Sequence, residues 1–394
     1  MTCNTLKTKL KIIYLCYMPL TEKREKDFFI KEAGDSDLSV EYWDLTKIYF
    51  PEMTFVGEIK RLYVKKINNY GELEEAILAQ DIKRCLFVII ITFYGQVIKL
   101  YRLLTQYHCC LVFFARAGLP VDHPKKPLLR KLLENHAQYL AIDRIKLLYL
   151  NQLAKLYKHI GLIKDYDLVF AAGTVETSQY NGRSSVVAIN HFDYDNYLGV
   201  KNKVERIIKE DFCVFLDENL VYHTDFKITH TKTIEPIPYF KSLCSFFDRL
   251  EKRYHLKVVI AAHPKAEYKG HEFGDRAIIK GKTLELVKDC RFALAHNSTS
   301  ISFAILNEKP LCFIYTNEIK KINNFEVIKH YASVLDATIF NIDTIYGNNE
   351  LQISSPNHLR YEEYKYKYLT SKTTEEKLSI DIFIQHMTEL AASI

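Results

Sequence analysis

The chain of 394 residues is 48% hydrophobic and 26% charged, an ordinary globular composition with enough residues for two domains. Lysine and arginine outnumber aspartate and glutamate by 54 to 48, which gives a net charge of +6. This mild excess suits an anionic ligand or an anionic membrane surface. The basic residues are spread along the chain without a nucleic-acid-binding motif, so we expect no nucleic-acid partner.

The cysteines and the N-terminal residues both indicate the cytoplasm. None of the nine cysteines belongs to a C-x-x-C pair, which argues against a zinc site or redox dithiol and favours buried free thiols. The first residues lack the apolar core and cleavage site of a signal peptide, and the longest apolar run, 85–94, is too short to span a bilayer. We therefore predict a cytoplasmic protein, with at most peripheral contact at the inner membrane.

The first half alternates apolar strands with amphipathic helices. This alternation predicts a parallel sheet with helices on both faces. The predicted strands are 10–17, 39–45, 61–66, 85–92, 109–114, 166–172 and 185–190, and the predicted helices are 22–32, 71–80, 96–106 and 127–159.

The second half repeats the alternation after a polar-aromatic segment, 191–197, which we place just before a domain boundary near 199–203. Its predicted strands are 212–216, 257–262, 276–279, 291–295 and 310–315, and its predicted helices are 238–254, 283–288, 301–306 and 374–390. Two sequential α/β domains and a C-terminal helical segment follow from this pattern.

Polar residues follow two apolar strands of the second half. Proline cannot donate to a strand ladder, so the strand 257–262 stops before Pro264 and leaves His263 at its carboxyl end. The strand 291–295 runs into His296 and a hydroxyl-rich turn that opens a helix, where Asn297 or Ser298 is positioned to act as a cap. A helix N-terminus with hydroxyl donors and a nearby imidazole predicts a phosphate site. Its predicted residues are His263, Pro264, Lys265, Asn297, Ser298, Thr299 and Ser300.

Carboxylates are available for proton transfer or nucleophilic attack. Asp217 ends the apolar strand 212–216, and strand-end carboxylates of parallel sheets point into the ligand crevice, although a turn cap is the alternative. Glu218 would lie on the other side of the chain. Glu176, after the turn that ends the strand 166–172, is a further candidate acid or base. His263 is positioned to donate to a phosphate or protonate a leaving phosphate, whereas His296 fits a buried, hydrogen-bonded histidine equally well.

The chain has neither G-x-G-x-x-G nor G-x-x-x-x-G-K-[ST], so dinucleotide and P-loop sites are not indicated. The D-x-D sequence at 35–37 lies in what reads as a surface turn. We therefore predict no metal site and no cofactor.

The order strand–Asp217–Glu218, strand–His263–Pro264, strand–Ser298-Thr299-Ser300 resembles bacterial glycosyltransferases that use CMP-activated acidic sugars, namely sialyl-, polysialyl- and Kdo transferases. The resemblance covers 212–316. It implies a fold of two Rossmann-like lobes (GT-B-like) with an inter-domain cleft and a C-terminal closing helix. Asn219 departs from the glycine that follows the two acids in sialyltransferases, which weakens that subgroup.

The resemblance also implies roles. His263 and 298–300 would hold the CMP phosphate, and Asp217 would be the catalytic carboxylate, a base in an inverting enzyme or a nucleophile in a retaining one. It implies an acceptor-side domain, 1–200, a nucleotide-sugar-binding domain, 201–360, and a helical segment, 361–394. The expected partners are a nucleotide-sugar donor and a glycan or glycolipid acceptor of a surface polysaccharide.

Three alternatives stay open. They are a glycosyltransferase that uses a UDP- or GDP-sugar, a CMP-dependent polyol-phosphate transferase, and a non-catalytic polysaccharide-assembly protein. A CMP leaving group carries one phosphate, which an imidazole, hydroxyls and a helix end can neutralise without a metal ion.

Overall fold

The computed structural model describes residues 9–393 except for 37, 117, 119, 121–141, 203–204, 223–233, 323–324 and 346–350. These residues form two compact units. The first contains 9–116, 142–189 and 377–393, and the second contains 190–376 apart from its gaps.

A sheet of seven parallel strands forms the centre of the first unit, in the order β3-β2-β1-β4-β5-β6-β7. The strands β4 and β6 are buried along their whole length, as expected for strands covered on both faces. The strands are β1 Lys11–Cys16, β2 Ser39–Asp44, β3 Val64–Lys66, β4 Cys85–Ile89, β5 Cys110–Ala115, β6 Leu168–Ala172 and β7 Ser185–Ile189. The helices are α1 Glu22–Asp27, α2 Ile30–Asp35, α3 Thr46–Tyr49, α4 Tyr70–Leu78, α5 Ile98–Gln106, α6 Ile142–His159 and α7 Gly173–Tyr180, with 3₁₀ turns at Ile82–Arg84 and Gly95–Val97.

The predicted helix 22–32 is divided into α1 and α2. Phe29 takes a left-handed backbone conformation, with φ of 56°, between the two helices. This turn brings the Phe29 ring into the core beside Phe114, with ring centroids 6.1 Å apart. Core packing therefore overrides a charge pattern that favoured one continuous helix. The part of the predicted helix 127–159 before 142 lies outside the described residues.

A sheet of six parallel strands forms the centre of the second unit, in the order β10-β9-β8-β11-β12-β13. The strands are β8 Phe212–Leu216, β9 Lys257–Ala262, β10 Ile278–Lys280, β11 Ala293–Ala295, β12 Leu311–Tyr315 and β13 Thr338–Asn341. The helices are α8 Phe192–Val200, α9 Pro236–Tyr254, α10 Thr283–Asp289, α11 Ile301–Leu306, α12 Asn317–Lys320, α13 Phe325–Leu335 and α14 His358–Tyr364, which continues into a π-helical turn, Lys365–Leu369.

The strand order of the second sheet, counted from β8, is 3-2-1-4-5-6, the order of a Rossmann fold. The first sheet has the same order with one more strand. The predicted fold class, α/β with two Rossmann-like units, is therefore confirmed. Each sheet has one point from which the chain runs outward in both directions along the sheet. This point lies between β1 and β4 in the first sheet and between β8 and β11 in the second. These topological switch points are where open α/β sheets bind ligands.

The division between the units falls at Ile189 and Asn190, about ten residues before the boundary placed near 199–203. The intervening polar-aromatic segment forms α8, which packs on α10 and α11 of the second unit. The predicted C-terminal segment, 361–394, is divided between the two units, since α14 belongs to the second unit.

The last helix, α15 (Ser379–Ser393), returns to the first unit. Its Phe383 and Met387 are fully buried against the first sheet, where the Phe383 ring lies 5.3 Å from that of Phe170. The predicted C-terminal helix is thus present, and it covers one face of the first sheet. Within the described ranges, no helix has both the length and the apolar character needed to cross a bilayer.

Candidate active site at the carboxyl edge of the second sheet

Three neighbouring strands of the second sheet end level with one another. The last residue of β8, Leu216, pairs with Ala261 of β9 and with Ala295 of β11. The residues that follow these strands therefore meet at one edge of the sheet. They include the predicted site residues Asp217 and His263, and also His296.

Asp217 joins the ends of β8 and β9. One carboxylate oxygen accepts the backbone N–H of His263 at 3.1 Å and the Tyr268 hydroxyl at 2.9 Å, and the other accepts the N–H of Asn219 at 3.0 Å. Burial raises the pKa of this carboxyl, and the three donors oppose that rise. Asp217 is only 5% exposed, and two of its three donors, His263 and Tyr268, follow β9.

Asn219 keeps the backbone shape that glycine would give. Its φ is 54°, in the left-handed region that asparagine tolerates better than most residues with a Cβ. The departure from the resembled motif therefore preserves the turn that aims the Asn219 N–H at Asp217.

Glu218 lies on the opposite side of β8, at the switch point. Its carboxyl accepts the backbone N–H of Asn297 at 2.5 Å, and the Asn297 side-chain amide also donates to it when its nitrogen faces the two oxygens. Burial raises the pKa of Glu218 to about 8, and the nearby Asp217 charge adds to the rise, although the N–H groups of Asn297 and Ser298 oppose it. Burial therefore favours the protonated form of Glu218 over the ionised form of an ordinary glutamate.

His263 follows β9 with its ring only half-buried. Its Nδ1 accepts the backbone N–H of Lys265 at 3.2 Å, so the neutral ring carries its proton on Nε2 and is a donor there. Pro264 and Lys265 form the exposed turn beyond it. The predicted strand end at His263 is confirmed by the bounds of β9.

The hydroxyl-rich turn after β11 differs from the predicted cap. Ser300 occupies the N-cap position of α11 without a side-chain capping bond, whereas the Ser298 hydroxyl accepts the Ser300 N–H at 3.3 Å. Ser298 is buried and Thr299 is exposed. The first N–H groups of this turn face the Glu218 carboxyl, which lies where an anion would bind.

His296 is a buried, hydrogen-bonded histidine. Its Nδ1 lies 2.6 Å from the carbonyl of Ile314, and its Nε2 lies 3.0 Å from the Tyr239 hydroxyl. Burial lowers the pKa of His296 to about 4. The neutral ring therefore donates to Ile314 and accepts from Tyr239, which ties β11 to β12 and to α9.

Aromatic residues beside Asp217 are part of the site and are not predicted from the sequence. The Tyr268 ring lies 5.1 Å from Phe273, 6.3 Å from Phe240 and 6.3 Å from Tyr222. Tyr222 is half exposed, so this group gives the site an aromatic wall. Tyr268 lies in an irregular loop, and nothing in the sequence pattern indicates that its hydroxyl reaches Asp217.

Glu176 lies in the first unit, on α7 at the carboxyl end of β6. It is half-buried, and burial raises its pKa. Within the described residues, no group of three or more His, Cys, Asp or Glu side chains is arranged to hold a metal ion, and the eight cysteines there form no disulfide.

No protein-family model and no curated protein sequence matches this chain. Among solved structures, UDP-GlcNAc 2-epimerase from Methanocaldococcus jannaschii is similar at 12% identity and a TM-score of 0.47, covering 97% of this chain and all of that one. MnaA from S. aureus, in a co-structure with UDP, is similar at 13% identity and 0.46, covering 98% of each chain. The glycosyltransferase SnogD from Streptomyces nogalater is similar at 10% identity and 0.46, covering 98% of this chain and all of that one.

These similarities are too distant to indicate a reaction. The strand orders of the two sheets show the fold, and the residues at the carboxyl edge of the second sheet determine which chemistry is available there.

Proposed function

We propose that this protein is a glycosyltransferase that transfers a 2-keto acid sugar from a CMP donor to a glycan acceptor during synthesis of a bacterial surface polysaccharide. The observation that carries the proposal is that Asp217, Glu218, His263 and the hydroxyl-rich turn 297–300 meet at the carboxyl edge of a Rossmann-like sheet, at its switch point. A nucleotide bound there would place its phosphate beside a carboxylic acid, an imidazole and hydroxyl groups.

The phosphate is assigned to the turn 297–300 and to His263. The Nε2–H of His263 supplies a donor, and the exposed Thr299 and half-buried Ser300 supply hydroxyl groups. A single phosphate needs less neutralisation than a diphosphate, which supports CMP over UDP or GDP. The half-exposed Tyr222 beside Tyr268 offers a face for the cytosine ring.

Proton transfer is assigned first to Glu218. The bond between the anomeric carbon and the phosphate oxygen breaks, its electron pair stays on the phosphate, and the Glu218 proton moves onto that oxygen. The acceptor hydroxyl forms the new bond to the anomeric carbon and loses its proton to a base. Asp217 is the candidate for that base, and it is also the candidate nucleophile if the reaction retains configuration.

Ligand-induced thermal stabilisation tests the proposal. CMP at a hundred times its dissociation constant should stabilise the protein by about 2.7 kcal/mol, and UDP and GDP should have much smaller effects. Stabilisation by UDP or GDP alone would replace the donor with a diphosphate sugar. Stabilisation by CMP without transfer from CMP-Kdo or CMP-sialic acid to glycan acceptors would favour a polyol-phosphate transferase. Binding of no nucleotide would favour an assembly protein.

A further inference from the structure

One helix of the first unit exposes apolar side chains that the fold does not need. On and just after α6, five apolar side chains are between 44% and 64% exposed. They are Leu148, Tyr149, Leu156, Ile160 and Leu162. Exposed apolar side chains grouped on one helix mark an interaction surface more often than isolated ones do.

The opposite side of α6 holds the helix in place. The Asn151 side chain accepts the backbone N–H of Gly95 at 2.7 Å, and Ala154 is buried in the core. A Cβ on Gly95 would lie 2.5 Å from the Cβ of Leu150, so the helix and the Gly95 turn are in close contact. The helix is therefore fixed by its inner side, whereas the apolar side chains on its outer side are exposed.

Basic residues flank the exposed apolar side chains. Lys146 and Lys155 are exposed on the two flanks of the apolar side, and His159 is exposed between Leu148 and Leu156 around the helix. The sequence 144–164 contains five lysines and arginines and no aspartate or glutamate, in a chain with 48 acidic residues in 394. We call this side the outer face of α6. Its described residues are Lys146, Leu148, Tyr149, Gln152, Lys155, Leu156, His159, Ile160 and Leu162.

We propose that the outer face of α6 binds the surface of an anionic lipid membrane. A helix with apolar and basic side chains on one side lies in the plane of the interface, with its apolar residues among the acyl chains and its lysines at the headgroups. The absence of acidic residues across 144–164 favours a negatively charged surface over a protein partner of mixed charge. The proposal does not depend on the reaction assigned to the second unit.

Vesicle sedimentation of the full chain without nucleotide tests the proposal. The protein should sediment with vesicles of phosphatidylglycerol mixed with phosphatidylcholine, much less with phosphatidylcholine alone, and less at high salt. Leu148→Gln/Leu156→Gln/Ile160→Gln should weaken binding at least tenfold because apolar insertion is lost. Lys146→Gln/Lys155→Gln should weaken it roughly 30-fold, at about fivefold for each lysine.

Matched controls change equally exposed residues elsewhere. Leu78→Gln/Ile237→Gln/Leu359→Gln and Lys252→Gln/Lys269→Gln should bind as the natural chain does. Since all of these positions are exposed, circular dichroism should show every variant folded.

Three results would overturn the proposal. The first is that the natural chain fails to sediment with the anionic vesicles. The second is that the outer-face variants bind as well as their controls. The third is that the apolar variant only converts an oligomer to a monomer, which would identify a second copy of the chain as the partner.

Discussion

The two sheets share a strand order but present different chemistry at their switch points. In the first sheet β1 is followed by Tyr17, and β4 leads to Phe93 and Tyr94, so aromatic side chains surround this edge. In the second sheet β8 is followed by Asp217 and Glu218. The fold supplies a crevice in both units, and the two residues after each central strand determine what the crevice can do.

The two edges also differ in what they contain: the first edge packs half-buried aromatic rings together, and the second buries carboxyl groups. At the first edge, the Tyr17 ring packs 6.0 Å from Tyr49 and 5.5 Å from Phe50. At the second edge, the buried carboxyls of Asp217 and Glu218 have raised pKa values. Buried ionisable groups oppose folding and are found mainly where chemistry needs them, which makes the second edge the candidate for catalysis.

The largest expected effect comes from Glu218→Gln. Glutamine keeps the size of the side chain but holds no transferable proton, so turnover should fall by roughly 10²–10⁴ with little change in nucleotide affinity. Transfer assays and nucleotide titration measure the two effects. Glu285→Gln, a surface pair with Lys282, is the control and should keep full activity. Full turnover in Glu218→Gln would move the proton transfer to Asp217.

Asp217→Asn is expected to reduce stability by about 2–4 kcal/mol, since an amide cannot accept all three hydrogen bonds from His263, Tyr268 and Asn219. Denaturant unfolding measures this change. Asp44→Asn, at the end of β2 in the first sheet, is the matched strand-end control and should cost less because, among the described residues, the Asp44 side chain accepts hydrogen bonds from Thr46 alone.

The same Asp217 variant separates its two possible roles. A loss of turnover by 10² or more with unchanged stability would assign Asp217 to the chemistry instead of to positioning. A sugar adduct on the natural chain, seen as added mass, would identify Asp217 as a nucleophile if the variant lacks it.

His263→Ala should weaken CMP binding by about 1.5–3 kcal/mol, because one charge-assisted hydrogen bond to the phosphate is lost. Its ring accepts a hydrogen bond from the neighbouring Lys265 backbone and is half exposed, so the fold should remain. Isothermal titration measures the affinity, and His255→Ala, an exposed histidine at the end of α9, is the control. Equal affinity in both variants would remove His263 from the phosphate site.

Stability should fall by ~1–2 kcal/mol between pH 6.5 and pH 8 because of Glu218. Its folded-state pKa, about 8, lies above the ordinary value of 4.5, so the native protein binds a proton that the unfolded chain has already lost. His296 has the opposite effect, since its lowered pKa, about 4, reduces stability only as the pH falls below its ordinary 6.5. Unfolding of Glu218→Gln should therefore be nearly independent of pH across this window. An unchanged slope would mean that Glu218 is ionised in the native protein.

The strands β8 and β9 of the second sheet could be predicted well because they are apolar on both faces. The bounds of β8 and β9 match the predicted 212–216 and 257–262, since a continuous apolar run stops abruptly at a charged residue or a proline. The helix α8 was not predicted, because it buries only Tyr194 and reads as a polar-aromatic segment. The strand β13, with four half-buried residues, was missed for the same reason.

The site could be predicted in part. That Asp217, His263 and the turn after β11 share one edge follows from the rule that parallel strands end together. The contact between Glu218 and Asn297 could not be predicted, because it depends on β11 pairing with β8 and one sequence does not give strand order. The hydrogen bond from the Tyr268 hydroxyl to Asp217 could not be predicted either, because Tyr268 lies in a loop and loop conformation leaves no periodic pattern in the sequence.

The return of α15 to the first sheet has a consequence for synthesis on the ribosome. The last strand of that sheet ends at Ile189, but Phe383 and Met387, which cover one of its faces, are translated about 190 residues later. At ~5–20 residues per second this delay lasts roughly 10–40 s. The part of the protein that is made first is therefore completed last. During that interval its aromatic core is exposed to chaperones and proteases, and a chain that stops before Ser379 never covers it.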